Sequence, residues 1–387
     1  MRRLVLLVGL AACSRERSSP AGALDCDAIP MDASHPDAAA IDALVTARVS
    51  EGLPGLMLTI DRPGIGAYHG AAGFADLGAG TPIAPCQLTR AGSINKTVTA
   101  AVVLQLVDEG VLGLDDPIAA HLPPDVVRGV PNADLATIRQ ALQHASGIPN
   151  WIWSLGFQTA SLDDLERVWT ADELLDFARR QPPAFEPGAD VDYSNTNALL
   201  LGLLLENVTG EPLATLYDER VFAPIGLRTT RFAASEPVPD DLIRGYVDLR
   251  NNGQLLDGTR FNGWDVHADG GLLSDPAELT VLMRAMMDGT LVPPSLLEDV
   301  RGVRAPSTVD PEFFPIEYGL GVFRMETSTG TWWFHSGDAI GYWATALVRE
   351  EDGVAVSWAV NGNYGTLDAS VSSRSAWEDV LDLVGPP

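Results

Sequence analysis

The chain has 387 residues, 46% of them hydrophobic and 20% charged, with a formal net charge of −27 at pH 7. That length can bury a large core and is long for one compact domain. A chain this acidic is repelled by nucleic acid and by anionic lipid surfaces, which excludes both as expected partners.

At the N-terminus, Met1-Arg2-Arg3 and the apolar run Leu4 to Leu10 read as a signal peptide. The tetrapeptide Leu10-Ala11-Ala12-Cys13 resembles a bacterial lipoprotein signal, in which Cys13 becomes the lipidated first residue; an ordinary secretory signal with a chance cysteine is the alternative. On the lipoprotein reading residues 1–12 are removed. Residues 13–38, rich in Ser, Ala, Pro, Asp and Gly, form a tether, and 39–387 form the functional domain. The domain then meets a membrane only through the anchor at Cys13, on the periplasmic or extracellular side of a bacterial envelope. Cys26 and Cys86 remain as an even pair in an oxidising compartment, where a disulfide is expected and two buried thiols are the competing reading. No later apolar run approaches the roughly 20 residues of a spanning helix.

Past the tether, Ile41, Leu44, Val45 and Val49 predict a helix over 39–49, and strands follow over 55–60 and 65–74 around a Pro63-Gly64 turn. Val98, Ala101, Val102 and Leu106 space a buried helix from Thr97 to Val107. Residues from about 115 to 235 read as a mainly helical insert, with helices over 135–144, 171–180, 197–208 and 212–221. Leu272 to Met287 reads as another helix, with Ser274-Asp275-Pro276 as its cap and first-turn proline. Strands return over 319–326, 331–335, 342–349 and 354–361, and a helix over 369–384 closes the chain. Strands at both ends with helices between predict an α+β fold. Its antiparallel sheet is built from both termini and flanked by helices, and the site lies in the crevice beside the insert.

One position stands out within that pattern. Of the 25 basic residues, Lys96 is the only lysine. An ammonium can lose its proton under burial or a neighbouring positive potential, whereas a guanidinium stays protonated in proteins. Ser93 lies three residues upstream, so Ser-x-x-Lys places a nucleophile and its base one helical turn apart. Ser93 is expected at the helix N-terminus, where free N–H groups stabilise an oxyanion. A serine cap followed by a solvated lysine is the bland alternative.

Two further stretches carry acyl-transfer chemistry. Tyr193 and Asn195, in Asp192-Tyr193-Ser194-Asn195, lie on a loop before an apolar helix. A phenol near an ammonium can pass protons, and an asparagine can hold both a lysine and a substrate amide. His335-Ser336-Gly337-Asp338 lies on a predicted strand edge, where Gly337 permits close approach of a substrate backbone and the Asp338 N–H can be a second oxyanion donor.

In this order and spacing, the three stretches resemble the serine β-lactamase and DD-peptidase superfamily, in its class C β-lactamase, DD-carboxypeptidase and esterase-like branch. The resemblance covers 40–362 and includes 143–149 (Gln-His-Ala-Ser-Gly-Ile-Pro), 193–202, Phe222-Ala223-Pro224-Ile225-Gly226-Leu227 and Gly270-Gly271-Leu272-Leu273-Ser274. It implies a β-lactamase/transpeptidase-like fold, Ser93 as nucleophile, Lys96 as base, Tyr193 as proton shuttle and Asn195 as an orienting group. It also implies Ser336 as a substrate contact, the N–H groups of Ser93 and Asp338 as the oxyanion hole, and no metal or other cofactor. His144 and Ser146 read as a structural network. His335 stands where β-lactamases usually carry a lysine, and Asp338 where many relatives have a small residue; both bear on which substrate fits.

The expected function is a serine hydrolase that forms an acyl-enzyme on Ser93 with a small-molecule or peptide acyl substrate, DD-carboxypeptidase-like or esterase-like. A β-lactamase is the alternative. A non-catalytic receptor for cell-wall peptides or β-lactams is the reading from another class, and Lys96 weighs against it because a pure binder needs no deprotonatable amine. Asp338, if it faces the site, is expected to disfavour carboxylate-bearing substrates.

Overall fold

Residues 34–233, 238–261, 263, 267–308 and 314–387 are described in the computed structural model. Cys13 and Cys26 lie outside them. Cys86 is disulfide-bonded.

The sheet is assembled from the two ends of the chain. Ala38–Ser50 (α1) leads into Gly55–Arg62 (β1) and Gly66–Asp76 (β2), with Thr81–Pro82 (β3) at the edge. Thr89–Gly92 (β4) then feeds Asn95–Asp108 (α2). The insert carries Pro124–Val127 (α3), Ile138–Leu142 (α4), Leu155–Asp163 (α5), Ala171–Arg179 (α6), Asn195–Thr209 (α7) and Leu213–Tyr217 (α8), and ends in a π turn over Asp218–Phe222. Short strands Arg231–Phe232 (β5), Tyr246–Val247 (β6), Leu256–Asp257 (β7) and Leu272–Ser274 (β8) precede Pro276–Met287 (α9) and Leu297–Arg301 (α10). The C-terminal part adds Ile316–Tyr318 (β9), Phe323–Thr327 (β10), Gly330–Ala339 (β11), Tyr342–Arg349 (β12), Ala355–Val360 (β13), Gly362–Asn363 (β14) and Arg374–Val384 (α11).

Eight strands pair in the order β3-β2-β1-β13-β12-β11-β10-β9, all antiparallel, so β1 from the N-terminal part lies beside β13. The fold is α+β. Both faces of this sheet are covered, which is why six successive residues of β1 are buried. Alternation sorts the side chains. Leu56, Leu58, Ile60, Val356 and Trp358 pack with Ile41 of α1 and Trp377 of α11. Met57, Ala344, Ala346, Ala355 and Ala359 face α2, α7 and α9. The alanines on that second face leave room for α9 to lie close.

Several boundaries differ from the sequence reading: β11 runs on to Ala339 where a strand over 331–335 was expected, and α11 begins at Arg374 rather than at 369. Leu272–Ser274 is a strand, not the start of a helix. Asp275 accepts the N–H groups of Ala277 at 2.9 Å and Glu278 at 3.1 Å, and Pro276 occupies the first helical position, so α9 starts there. The strand expected over 319–326 begins only at Phe323 as β10, because the residues before it form a tight connection from β9, closed by Gly319 N to Val322 O at 2.8 Å. The expected tether to residue 38 ends earlier, because His35 and Asp37 are buried and Arg62 donates to Asp37 at 2.6 Å.

Candidate active site

Ser93 sits in the turn between β4 and α2, two residues before the helix rather than in its first turn. The polar residues of the early α2 turns are tied to different segments. Asn95 donates to the carbonyl of Ala268 at 2.7 Å, Thr97 to that of Gly321 at 2.8 Å, and Thr99 bonds the Tyr217 hydroxyl at 2.8 Å. Those bonds fix the rotation of the helix. Lys96, only 4% exposed, thereby points at the nucleophile, with Nζ 2.9 Å from Ser93 Oγ and also donating to the carbonyl oxygen of Asp269.

Tyr193 closes over the amine, and Lys96 Nζ lies 5.0 Å from the centre of its ring. The ring stacks on His144 at 4.5 Å, with Phe323 and His335 beyond at 6.1 and 6.4 Å. The loop before α7 is held from below. Asn150 donates to Tyr193 O at 3.1 Å and accepts from Asn195 N at 3.2 Å, while the Ser194 N–H donates to His144 Nδ1 at 3.0 Å. Asn195 begins α7 two residues after Tyr193. Ser146 donates to Asn197 at 2.7 Å, so His144 and Ser146 do form a network, and His144 also backs the Tyr193 ring.

The other wall is β11. A Cβ at Gly337 would stand 1.8 Å from Ala91 O and 2.8 Å from Ser93 N. Only glycine allows the strand to press on the Ser93 turn this closely. Gly92 answers it from the other side, with φ +48 and a would-be Cβ 3.1 Å from Asp338 N. The contact brings the N–H groups of Ser93 and Asp338 to one corner, the arrangement an oxyanion needs. Pairing of β11 with β12 runs without a shift from Trp332 to Ala339, so Ser336 and Asp338 share a face.

His335 is on the opposite face, 1% exposed, its ring 4.6 Å from that of Phe323. Burial first, and then Lys96, pushes its pKa down to about 3, so the imidazole is neutral near pH 7. His144 is likewise held well below the usual histidine range by burial and then by Lys96.

Three residues the sequence reading passed over belong to this site. Asp269, at 4% exposure, offers its carbonyl to Lys96, while its buried Oδ1 has no hydrogen-bond partner; burial raises its pKa against the opposing pull of Lys96. Its one available signal was a carboxylate directly before the Gly270-Gly271 landmark. Asn363 donates to Asp338 Oδ1 and the Tyr364 hydroxyl to Asp338 Oδ2, each at 2.7 Å. No local signal marks these two. A cavity of about 420 Å3 lined by Ala75, Cys86, Leu88 and Arg244 contains none of the site residues.

The Beta-lactamase family model matches residues 41–380. The chain belongs to the beta-lactamase family. Among curated members, esterase EstB of Burkholderia gladioli is 34% identical over 56% of this chain and 57% of its own length. Penicillin-binding protein 4* of Bacillus subtilis (strain 168) is 28% identical over 55% of this chain and 43% of its own. The chain thus matches about half the length of these relatives. Two solved structures of the family cover more. The D-stereospecific amidohydrolase from Streptomyces sp. is 30% identical, with a TM-score of 0.78 over 89% of this chain and 98% of that one. The D-amino acid amidase from Ochrobactrum anthropi SV3, complexed with L-phenylalanine amide, is 25% identical, with a TM-score of 0.78 over 90% of this chain and 97% of that one. The family fold is the β-lactamase/transpeptidase-like one.

Proposed function

We propose that this family member hydrolyses esters or amides through an acyl-enzyme on Ser93, in the manner of an esterase or DD-carboxypeptidase rather than a β-lactamase. The carrying observation is the buried Lys96 amine 2.9 Å from Ser93 Oγ. Lys96 takes the hydroxyl proton as Ser93 attacks the carbonyl carbon. Negative charge collects on the carbonyl oxygen, and the N–H groups of Ser93 and Asp338 receive it. Tyr193, over the lysine, relays the proton to the departing alcohol or amine, and water then releases the acyl group by the reverse path. Asn195 orients the substrate amide.

The ester or amide class draws support from the relatives, an esterase, an amidohydrolase and an amidase. A β-lactam brings a carboxylate to the strand that carries Asp338. At about 6 Å and an effective dielectric near 20, two like charges repel by roughly 3 kcal/mol, and exposure of Asp338 reduces this. Intact-mass analysis after a fluorophosphonate should show one adduct on Ser93, and the labelled protein should lose turnover of a butyrate ester. An adduct that persists in Ser93→Ala sinks the reading. A kcat/KM for a chromogenic cephalosporin above that for the ester would return the protein to the β-lactamases.

A further inference from the structure

Lys96 gains a proton as Ser93 attacks, and the ammonium forms where the side chain is only 4% exposed. Two imidazoles lie near it. Neither carries charge near pH 7, because burial, and then Lys96 itself, holds His335 at about 3 and His144 well below the usual range. The Tyr193 ring covers the amine from a third side. The fourth side is the segment before β8. Ala268 O accepts from Asn95 at 2.7 Å and from Thr99 at 3.3 Å, and Asp269 O accepts from Lys96 Nζ, so two successive carbonyls lie along the first turns of α2. The side chain of Asp269 is buried with them, and its Oδ1 has no hydrogen-bond partner. Trp151 lies beside it, with an Nε1 that makes no bond of good geometry and still favours the carboxylate form. The titratable groups that act on this carboxyl, among the described residues, include Lys96, His267 and the Tyr217 phenol, which burial keeps neutral.

Burying a carboxyl group with an unbonded oxygen destabilises a fold, so packing alone gives no reason for Asp269. The reaction gives one. Its main-chain oxygen touches the amine, and covalent geometry then keeps its carboxyl within about 8 Å of Lys96 Nζ. We propose that Asp269 is a positioning residue of the acyl-transfer step, anchoring the Lys96 amine with its carbonyl and strengthening the hold of that amine on the Ser93 proton with its carboxylate. This rests on the acyl-enzyme reading above and assigns a further residue within it. As the Ser93 oxygen bonds the substrate carbonyl carbon, its O–H bond breaks and the proton passes to Nζ, and the carboxylate attracts the positive charge that results. Burial holds the Asp269 carboxyl above the usual range against the pull of Lys96, so the two groups compete for protons. However those protons are shared, a neighbouring carboxylate can only strengthen the binding of a proton by the amine. At about 8 Å and an effective dielectric near 20, the attraction corresponds to about one to two pH units.

The test follows the acid limb of kcat/KM for a butyrate ester, from about pH 5 to about pH 9, in the mature wild-type chain, Asp269→Asn and Asp269→Ala; that limb reports protonation of the base in the free enzyme. In Asp269→Asn its midpoint should fall by about one pH unit or more, because the amine releases its proton more readily. The plateau at high pH should drop by about threefold to tenfold, since a weaker base draws the Ser93 proton less strongly. Asp269→Ala should move the midpoint in the same direction, which separates the charge of the side chain from its shape. The two substitutions are independent, so a fold lost in one leaves the other to decide. A carboxyl that only fills space would, on removal, lower the rate and leave the midpoint in place. An unmoved midpoint, or one displaced to higher pH, overturns the assignment. Failure of the underlying reading looks different, since enzymatic ester hydrolysis would then persist in Ser93→Ala.

Discussion

Lys96 and Asp338 border the same nucleophile and are held in opposite ways. Lys96 is 4% exposed, bonded to a hydroxyl and a main-chain carbonyl, and covered by the Tyr193 ring. Asp338 stands exposed, and its carboxylate accepts from Asn363 and from the Tyr364 hydroxyl. In a low-dielectric interior, gaining or losing a proton is costly enough to be part of the chemistry; at the rim, a charge persists and acts through a screened field. The contrast separates reaction from selection. A change at Lys96 should affect every substrate alike, and a change at Asp338 should sort substrates by charge.

The largest effect expected from breaking this division is at Lys96. Arginine keeps the positive charge but cannot accept a proton at neutral pH. Lys96→Arg should therefore lower kcat/KM by roughly 1,000-fold or more, nearly as far as Ser93→Ala, and equally for cationic, neutral and anionic acyl groups. Activity within tenfold of wild type would remove the lysine from the base role. A smaller, still uniform, loss is expected at the seam joining the two regions. Gly337→Ala places a methyl 1.8 Å from Ala91 O, so β11 must move off the Ser93 turn and the two N–H donors separate. Loss of one oxyanion donor corresponds to roughly 100-fold in kcat. If a folded Gly337→Ala protein kept its kcat on a neutral ester, the oxyanion corner would have been misplaced.

How much of this was legible beforehand follows the same division. The Ser93 and Lys96 pair is local, and a single lysine among 25 basic residues marks it without any fold. The long strands and the terminal helices were also readable, because alternation and helical spacing persist over many residues. Leu272–Ser274 was not, since three apolar residues beside a capped helix carry no period of their own. Asn363 and Tyr364 were out of reach for another reason. Their place beside Asp338 arises from pairing of β14 with β6 and from the turn after β13, contacts across more than 20 residues of sequence. Burial of His335 was equally hidden. The strand pattern gives two faces but not which one Tyr193 and Phe323 will cover.

A third ionisable group, the carboxyl of Asp275, tests the rule that burial, more than residue type, decides whether a charge is fixed. Asp275, 2% exposed, caps α9 and accepts from the Thr229 hydroxyl, beside Glu278, which accepts the N–H groups of Arg228, Thr229 and Thr230. Burial first, then Glu278, raises its pKa from 3.8 to about 7. A carboxyl with a raised pKa binds its proton more tightly folded than unfolded. Its contribution is therefore complete below about pH 4 and is lost as pH climbs to about 7. At about 1.4 kcal/mol per pH unit the loss is at most roughly 4 kcal/mol. Asparagine keeps an oxygen for the N–H groups of Ala277 and Glu278 but gives up the charge-assisted part of those bonds, which offsets most of the gain. Asp275→Asn should be no more stable than wild type at pH 4 and about 1 kcal/mol more stable at pH 8, by denaturant unfolding at both values. Parallel stability curves for the two proteins would mean that folding leaves the Asp275 pKa unshifted, its cap and the Thr229 hydroxyl offsetting its burial.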